Sequence, residues 1–149
     1  MQFPDSYHWF PKGSEYRCTT DNLDLSPFVI VLEAGKIVSV TIPKITCDQS
    51  TAEIVVLATH PEYLGKGYGK TAVHIALTYI IQQCHSCTFG LWADTFVGDD
   101  GRTAVIFWEH LGMRRDESKK QIENHDDGTT RTCFWMDGDI GVMLKKLVM

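Results

Sequence analysis

The chain predicts a single α/β domain, and three observations carry that expectation. Its 149 residues are 44% hydrophobic and 22% charged, an ordinary globular composition in a length that closes one core. Ala52 to Cys84 runs in the order strand, glycine-rich loop, helix. Around that stretch, β-branched runs alternate with two segments of helical period, so strands and helices have to pack against each other.

Taken in order, residues 1–27 give the weakest pattern. Tyr7-His8-Trp9-Phe10, between Pro4 and Pro11, is either a satellite of the core or a wall of a small-ligand pocket. Phe28 to Leu32 and Ile37 to Ile42 read as strands joined through Glu33-Ala34-Gly35-Lys36, with Gly35 at positive φ. Pro43 to Thr51 reads as a loop. On the strand that follows, strict alternation puts Glu53, Val55, Leu57 and Thr59 on one face and Ile54, Val56 and Ala58 on the other.

The helix predicted over Lys70 to Gln83 has a polar stripe of Thr71, His74, Thr78 and Gln82 opposite a broad apolar face. Phe89 to Ala93 is the next strand. Asp94 to Gly101 is a loop whose aspartates, Asp99 and Asp100 among them, can cap a second helix. That helix carries Ala104, Phe107, Trp108 and Leu111 on one face and stops at Gly112. Met113 to Glu117 begins a strand, and Ser118 to Thr130 reads as a mobile hairpin loop. Arg131 to Met136 and Ile140 to Val148 read as two closing strands joined by Asp137-Gly138-Asp139.

Composition narrows the function. A net charge of −5 argues against nucleic-acid binding and suits a cationic partner. No apolar run reaches membrane-span length, no signal pattern opens the chain, and five cysteines lack a framework spacing, so a cytoplasmic location is expected. Cys84-His85-Ser86-Cys87 has metal-like spacing without a second ligand pair, and no metal is expected.

The organising stretch has the makings of an anion site. Leu64-Gly65-Lys66-Gly67-Tyr68-Gly69-Lys70 lets successive N–H groups converge, and the helix after it adds orphan donors and the positive end of its dipole. A Walker A loop needs four residues between its first Gly and Gly-Lys-Thr; here three separate Gly65 from Gly69-Lys70-Thr71. A dinucleotide fingerprint needs Gly-x-Gly-x-x-Gly, and this loop is Gly-x-Gly-x-Gly.

The frame that fits is the pyrophosphate loop Arg/Gln-x-x-Gly-x-Gly/Ala, and on it the chain resembles the GNAT superfamily of acyl-CoA N-acyltransferases. Gly67 and Gly69 fall on the fixed glycines; Leu64 stands where Arg or Gln is usual. Ala104 to Met113 is similar to that family's later Phe-Tyr-Glu-Lys-Leu-Gly-Phe motif, and Val142 to Leu147 is similar to its closing strand. The resemblance spans roughly Phe28 to Leu147 and implies a mixed, mostly antiparallel twisted sheet with splayed central strands and flanking helices.

The resemblance also implies acetyl-CoA as co-substrate, held by Leu64, Gly65, Lys66, Gly67, Tyr68, Gly69, Lys70 and Thr71. The main chain of Leu57, Ala58 and Thr59 would pair with the pantetheine arm, with an oxyanion donor near Leu57. Acetyl transfer needs a neutral amine, and an alkyl ammonium titrates near pH ~10, so a base is required. Glu53 is the candidate: it lies on the strand feeding the loop, and Ala52-Glu53-Ile54-Val55 looks like the histone-acetylating branch, whose catalytic glutamate falls on this residue.

Trp108 stands where many members carry a Tyr that protonates the thiolate, and its indole cannot deliver a proton. Either the thiolate leaves unprotonated or another group serves. The expected acceptor is a small amine or a basic peptide, with a homodimer left open. Two rivals stand beside direct transfer. One is an acyl-CoA-binding or regulatory module without turnover. The other is a nucleotide hydrolase prompted by Gly69-Lys70-Thr71 and a Walker-B-like Phe89 to Asp94.

Overall fold

A computed structural model describes residues 14–19, 28–46, 50–84, 87–95, 103–124 and 126–148. The aromatic cluster Tyr7 to Phe10, the aspartates Asp99 and Asp100, and Gly101 lie outside the described residues. The chain forms two compact units, Met1–Cys87 and Thr88–Met149.

The first unit is an antiparallel meander of β1 (Ser14–Thr19), β2 (Phe28–Glu33), β3 (Lys36–Ile45) and β4 (Thr51–Thr59), followed by the helix α1 (Tyr68–Gln83). The β2–β3 turn places both Ala34 (φ 50°) and Gly35 (φ 78°) in the left-handed region, the conformation whose twist matches its strands. Pro43 to Ile45, expected as loop, continues β3, because a register shift between Ile42 and Pro43 accommodates the missing N–H.

That shift also overturns the strict alternation expected on β4. Ile42 pairs with Val56 and Pro43 with Ile54, which leaves Val55 as the extra residue of a bulge. Opposed residues share a face. Ala52, Ile54, Leu57 and Thr59 therefore lie with Ser39, Thr41 and Pro43. Glu53, Val56 and Ala58 lie on the other face with Val40, Ile42 and Lys44.

α1 covers the first of these faces, packing on β2, β3 and β4. Val29 and Val31, which pair with Thr41 and Ser39 on that face, and Ile75, Leu77 and Ile80 of α1 are almost entirely excluded from water, each worth roughly 1.5–3 kcal/mol of transfer. The expected polar stripe of α1 is not a solvated face: Thr71 and His74 are buried, and of the four residues only Gln82 is exposed. Thr71 Oγ1 donates to Gly67 O at 3.1 Å and Thr78 Oγ1 to His74 O at 2.8 Å, so the hydroxyls find partners within the helix.

The second unit holds β5 (Thr88–Asp94), α2 (Ala104–His110), β6 (Arg114–Asn124), β7 (Thr130–Gly138) and α3 (Ile140–Leu147). β7 pairs antiparallel with both β5 and β6. Its core includes Leu91, Trp108, Met136 and Met143, and Gly138 admits the thioethers: an added Cβ would sit 2.9 Å from Met143 Sδ. The α2 cap is Thr103, whose side chain accepts from Ile106 N at 3.1 Å.

Two expectations fail in this unit. Ile140 to Val148, expected as a closing strand, holds the helix α3 and its C-cap Val148. Asp139 caps it, accepting from Val142 N at 2.9 Å, while Ile140 and Met143 bury one face at helical spacing. Residues 118–124, expected as loop, belong to β6. The strand is exposed along most of its length, so no apolar alternation marks it. Its register slips between Asp116 and Lys120, where the Asp116 carboxylate accepts from Ser118 N at 3.0 Å.

Candidate functional site

The site is built from the end of β4 onward. His60 Nδ1 accepts from Glu62 N at 3.2 Å and caps a 3₁₀ turn over Pro61–Tyr63. Gly65 (φ 77°) and Gly67 (φ 88°) then turn the chain left-handed, and Gly67 is the N-cap of α1 without any side-chain cap bond. Helix geometry begins at Tyr68, two residues before the predicted Lys70. The αL residue closes the loop there, and Tyr68, Gly69 and Lys70 make the first turn.

The first closing bond is Thr71 N to Gly67 O at 3.0 Å, so the N–H groups of Gly67 to Lys70 precede the helical ladder. No acidic residue occupies that turn, which leaves the positive end of the dipole unopposed from within the helix. A Cβ on Gly65 or Gly67 would meet nothing within 4 Å, so the loop's outer surface is open. A Cβ on Gly69 would lie 3.1 Å from Thr59 Oγ1, which is how closely the turn sits on β4. Lys66 and Lys70 are exposed and Leu64 partly so. This surface fits a diphosphate: bare N–H donors, helix-end potential and two lysines.

β4 itself is oriented by β3. Thr41 Oγ1 donates to Val56 O at 2.7 Å, Ser39 Oγ to Ala58 O at 3.1 Å, and His60 N to Val38 O at 2.8 Å. The carbonyls of Val56 and Ala58 therefore point toward β3. Because C=O and N–H are trans across each planar peptide, the N–H groups of Leu57 and Thr59 point away from β3. Ser39 Oγ and Thr59 Oγ1 lie 3.0 Å apart, which fixes the Thr59 side chain under the first turn of α1. Glu53 is half-buried, directly opposite Lys44, on the face that α1 does not cover.

Trp108 belongs to the second unit, where it is buried with its ring edge-on to Phe107 at 5.0 Å. Two features were missed in the sequence. Tyr68 is only 7% exposed, and the Glu33 carboxylate, aided by burial, pushes its phenol up to about 12. In the second unit, ligand atoms of Asp94, Glu123 and Cys133 lie within 4.8 Å of one another. Burial, aided by Glu123 and Asp94, pushes the Cys133 thiol up to about 11. Register alone brings Asp94 and Cys133 together, and no local motif marks the trio.

A family model described as Acetyltransferase (GNAT) family matches residues 2–113. The chain belongs to the GNAT family. Solved structures agree at the level of fold. This GNAT chain is similar to a spermidine/spermine N-acetyltransferase from Vibrio cholerae (19% identity, TM-score 0.63, 85% of this chain and 70% of that one). It is similar to the ribosomal-protein-S18-alanine N-acetyltransferase from Escherichia coli (17%, 0.57, 75% and 67%). It is also similar to an acetyltransferase from Bacillus subtilis in complex with CoA (13%, 0.62, 85% and 98%). No curated protein matches. Among the described residues, no helix is long and apolar enough to cross a membrane.

Proposed function

We propose that this GNAT chain is an acetyl-CoA-dependent N-acetyltransferase that moves the acetyl group directly to a primary amine, with Glu53 as general base. One observation carries the reading. A single strand bears the carboxylate and main-chain donors directed away from β3, and it runs into a glycine loop whose N–H groups open a helix. Gly65 to Lys70 hold the diphosphate of the co-substrate, and Leu57 to Thr59 offer main-chain bonds to its pantetheine arm. Leu57 N–H is the donor for the developing oxyanion. Glu53 takes the proton of the acceptor ammonium, directly or through water.

The thiolate departs without a dedicated acid from the later motif. The burial of Trp108 supports a packing role for the residue standing at the family Tyr. The Vibrio relative is named for polyamines and the Escherichia relative for a ribosomal protein, so the acceptor class proposed here stays at amines, small or peptide-borne.

The test is release of free CoA from acetyl-CoA over a panel of polyamines, amino sugars and basic peptides, for wild type and Glu53→Gln. Turnover with at least one amine should fall by about 10²–10⁴ in the variant, less at high pH, with unchanged acetyl-CoA affinity. Equal rates in both proteins across the pH range would remove Glu53 from the mechanism. Binding without turnover on any amine would favour a regulatory acyl-CoA module.

A further inference from the structure

We propose that Asp94, Cys133 and Glu123 form a site for one divalent cation of borderline softness, Zn²⁺ by its chemistry, which ties β5, β7 and β6 together within the second unit. Their ligand atoms lie within 4.8 Å of one another. The trio shares no residue with the acyl-CoA reading and stands apart from it. It also shares none with Cys84-His85-Ser86-Cys87, the metal-like spacing visible in the sequence.

Register builds the site. Asp94, the last residue of β5, lies opposite Cys133 of β7, and Cys133 lies opposite Gln121 of β6. Glu123, two residues beyond Gln121, returns to the same face, diagonal to Cys133 and within reach of a long side chain. The end of β5 is pinned to β7, because Thr95 N and Thr95 Oγ1 both donate to Thr132 O, at 3.2 and 2.9 Å. Two ligands therefore come from a held strand pair and the third from an exposed strand.

The thiol is what points to a ligand. Cys133 is only 6% exposed, its sulfur sits with the two carboxylates, and among the described residues it donates no hydrogen bond. A cation gives that buried sulfur a partner: the thiol proton passes to the buffer and a metal–sulfur bond takes its place. The trio then carries three negative charges. Arg131 Nη1, 3.6 Å from Asp94 Oδ2, offsets one of them, and the remainder matches a divalent ion.

The donor set selects the ion. Mg²⁺ and Ca²⁺ take oxygen ligands, whereas one thiolate with two carboxylates suits Zn²⁺, with a fourth position for water. Tetrahedral zinc holds its donors about 3.5 Å apart, so a trio spread over 4.8 Å has to close by roughly 1 Å. The exposed Glu123 side chain has the freedom to do so. β6 gains most, since it is exposed along most of its length and a ligand at Glu123 anchors it to β7.

Titration of Co²⁺ and then Zn²⁺ into the reduced, chelator-stripped full chain tests the site, read by the thiolate–cobalt absorption band, calorimetry and thermal melting. Wild type should bind one Co²⁺ with a thiolate band that Zn²⁺ displaces and excess Mg²⁺ does not, and Zn²⁺ should raise its melting temperature. Cys133→Ser should lose the band, Glu123→Gln should bind Zn²⁺ at least tenfold more weakly, and Cys87→Ser should behave as wild type. Glu123→Gln, at an exposed position, carries the test if Cys133→Ser melts early. A wild type without the band, a band that survives Cys133→Ser or disappears in Cys87→Ser, or unchanged Zn²⁺ affinity in Glu123→Gln would overturn the site.

Discussion

Lowering the pH from 7 to 5 should remove about 2 kcal/mol of folding stability through one side chain, His74. It lies in the middle of α1, 9% exposed, with its Nδ1 3.3 Å from the Thr78 hydroxyl. Burial disfavours its charged form and brings its pKa down from the ordinary 6.5 to about 4. The unfolded chain therefore takes up a proton at a pH where the native protein refuses it, so the unfolded state binds more protons between those two values.

Stability is fully present above about pH 6.5, falls as the pH drops, and levels off below about pH 4 with a total loss of about 3 kcal/mol. Urea denaturation followed by circular dichroism at pH 7 and pH 5, on wild type and His74→Gln, isolates this contribution, because carboxylates titrate alike in both. The variant should lose about 2 kcal/mol less than wild type over that interval. Identical pH slopes for the two proteins would show that His74 titrates normally in the native state and that the burial argument fails.

Gly67→Val should weaken CoA binding at least tenfold, since the site is spatially open but its φ of 88° forces a β-branched residue into the left-handed region; calorimetry reads the loss. Ala34→Asn should stabilise the chain by roughly 1 kcal/mol, because Ala34 holds φ 50° in a turn that favours Asn-Gly, with thermal melting as the check. Asp139→Ala should cost about 0.5–2 kcal/mol by removing the cap of α3, read by urea denaturation.

What the sequence made legible were features set by short-range rules. The glycine loop, the β2–β3 turn and the helix after β4 follow from φ requirements and period, and they stand where expected within two residues. What it hid were features decided by partners distant in the chain. Ile140 to Leu147 looks like a strand until Met143 is seen buried with Ile140 and Asp139 bonded to Val142 N. The exposed part of β6 shows no alternation because it buries almost nothing. Glu33 and Tyr68 are 35 positions apart in the chain and carry no motif between them.

The bulge at Val55 is the hidden feature with the largest consequence for chemistry. Under strict alternation Glu53 would share a face with Leu57 and Thr59. That face lies under α1, where Ser39 and Thr41 are 1% and 0% exposed, and no acceptor amine could reach a carboxylate there. One extra residue reverses the parity upstream of it. Thr59 keeps its place beneath Gly69, Leu57 keeps its N–H directed away from β3, and the carboxylate turns to the face with Val56 and Ala58, both exposed. The three demands of the proposed reaction fall on three different directions: an anchored loop, a main-chain donor and a reachable base. A regular strand offers them only at fixed parity, and the bulge lets nine residues satisfy all three.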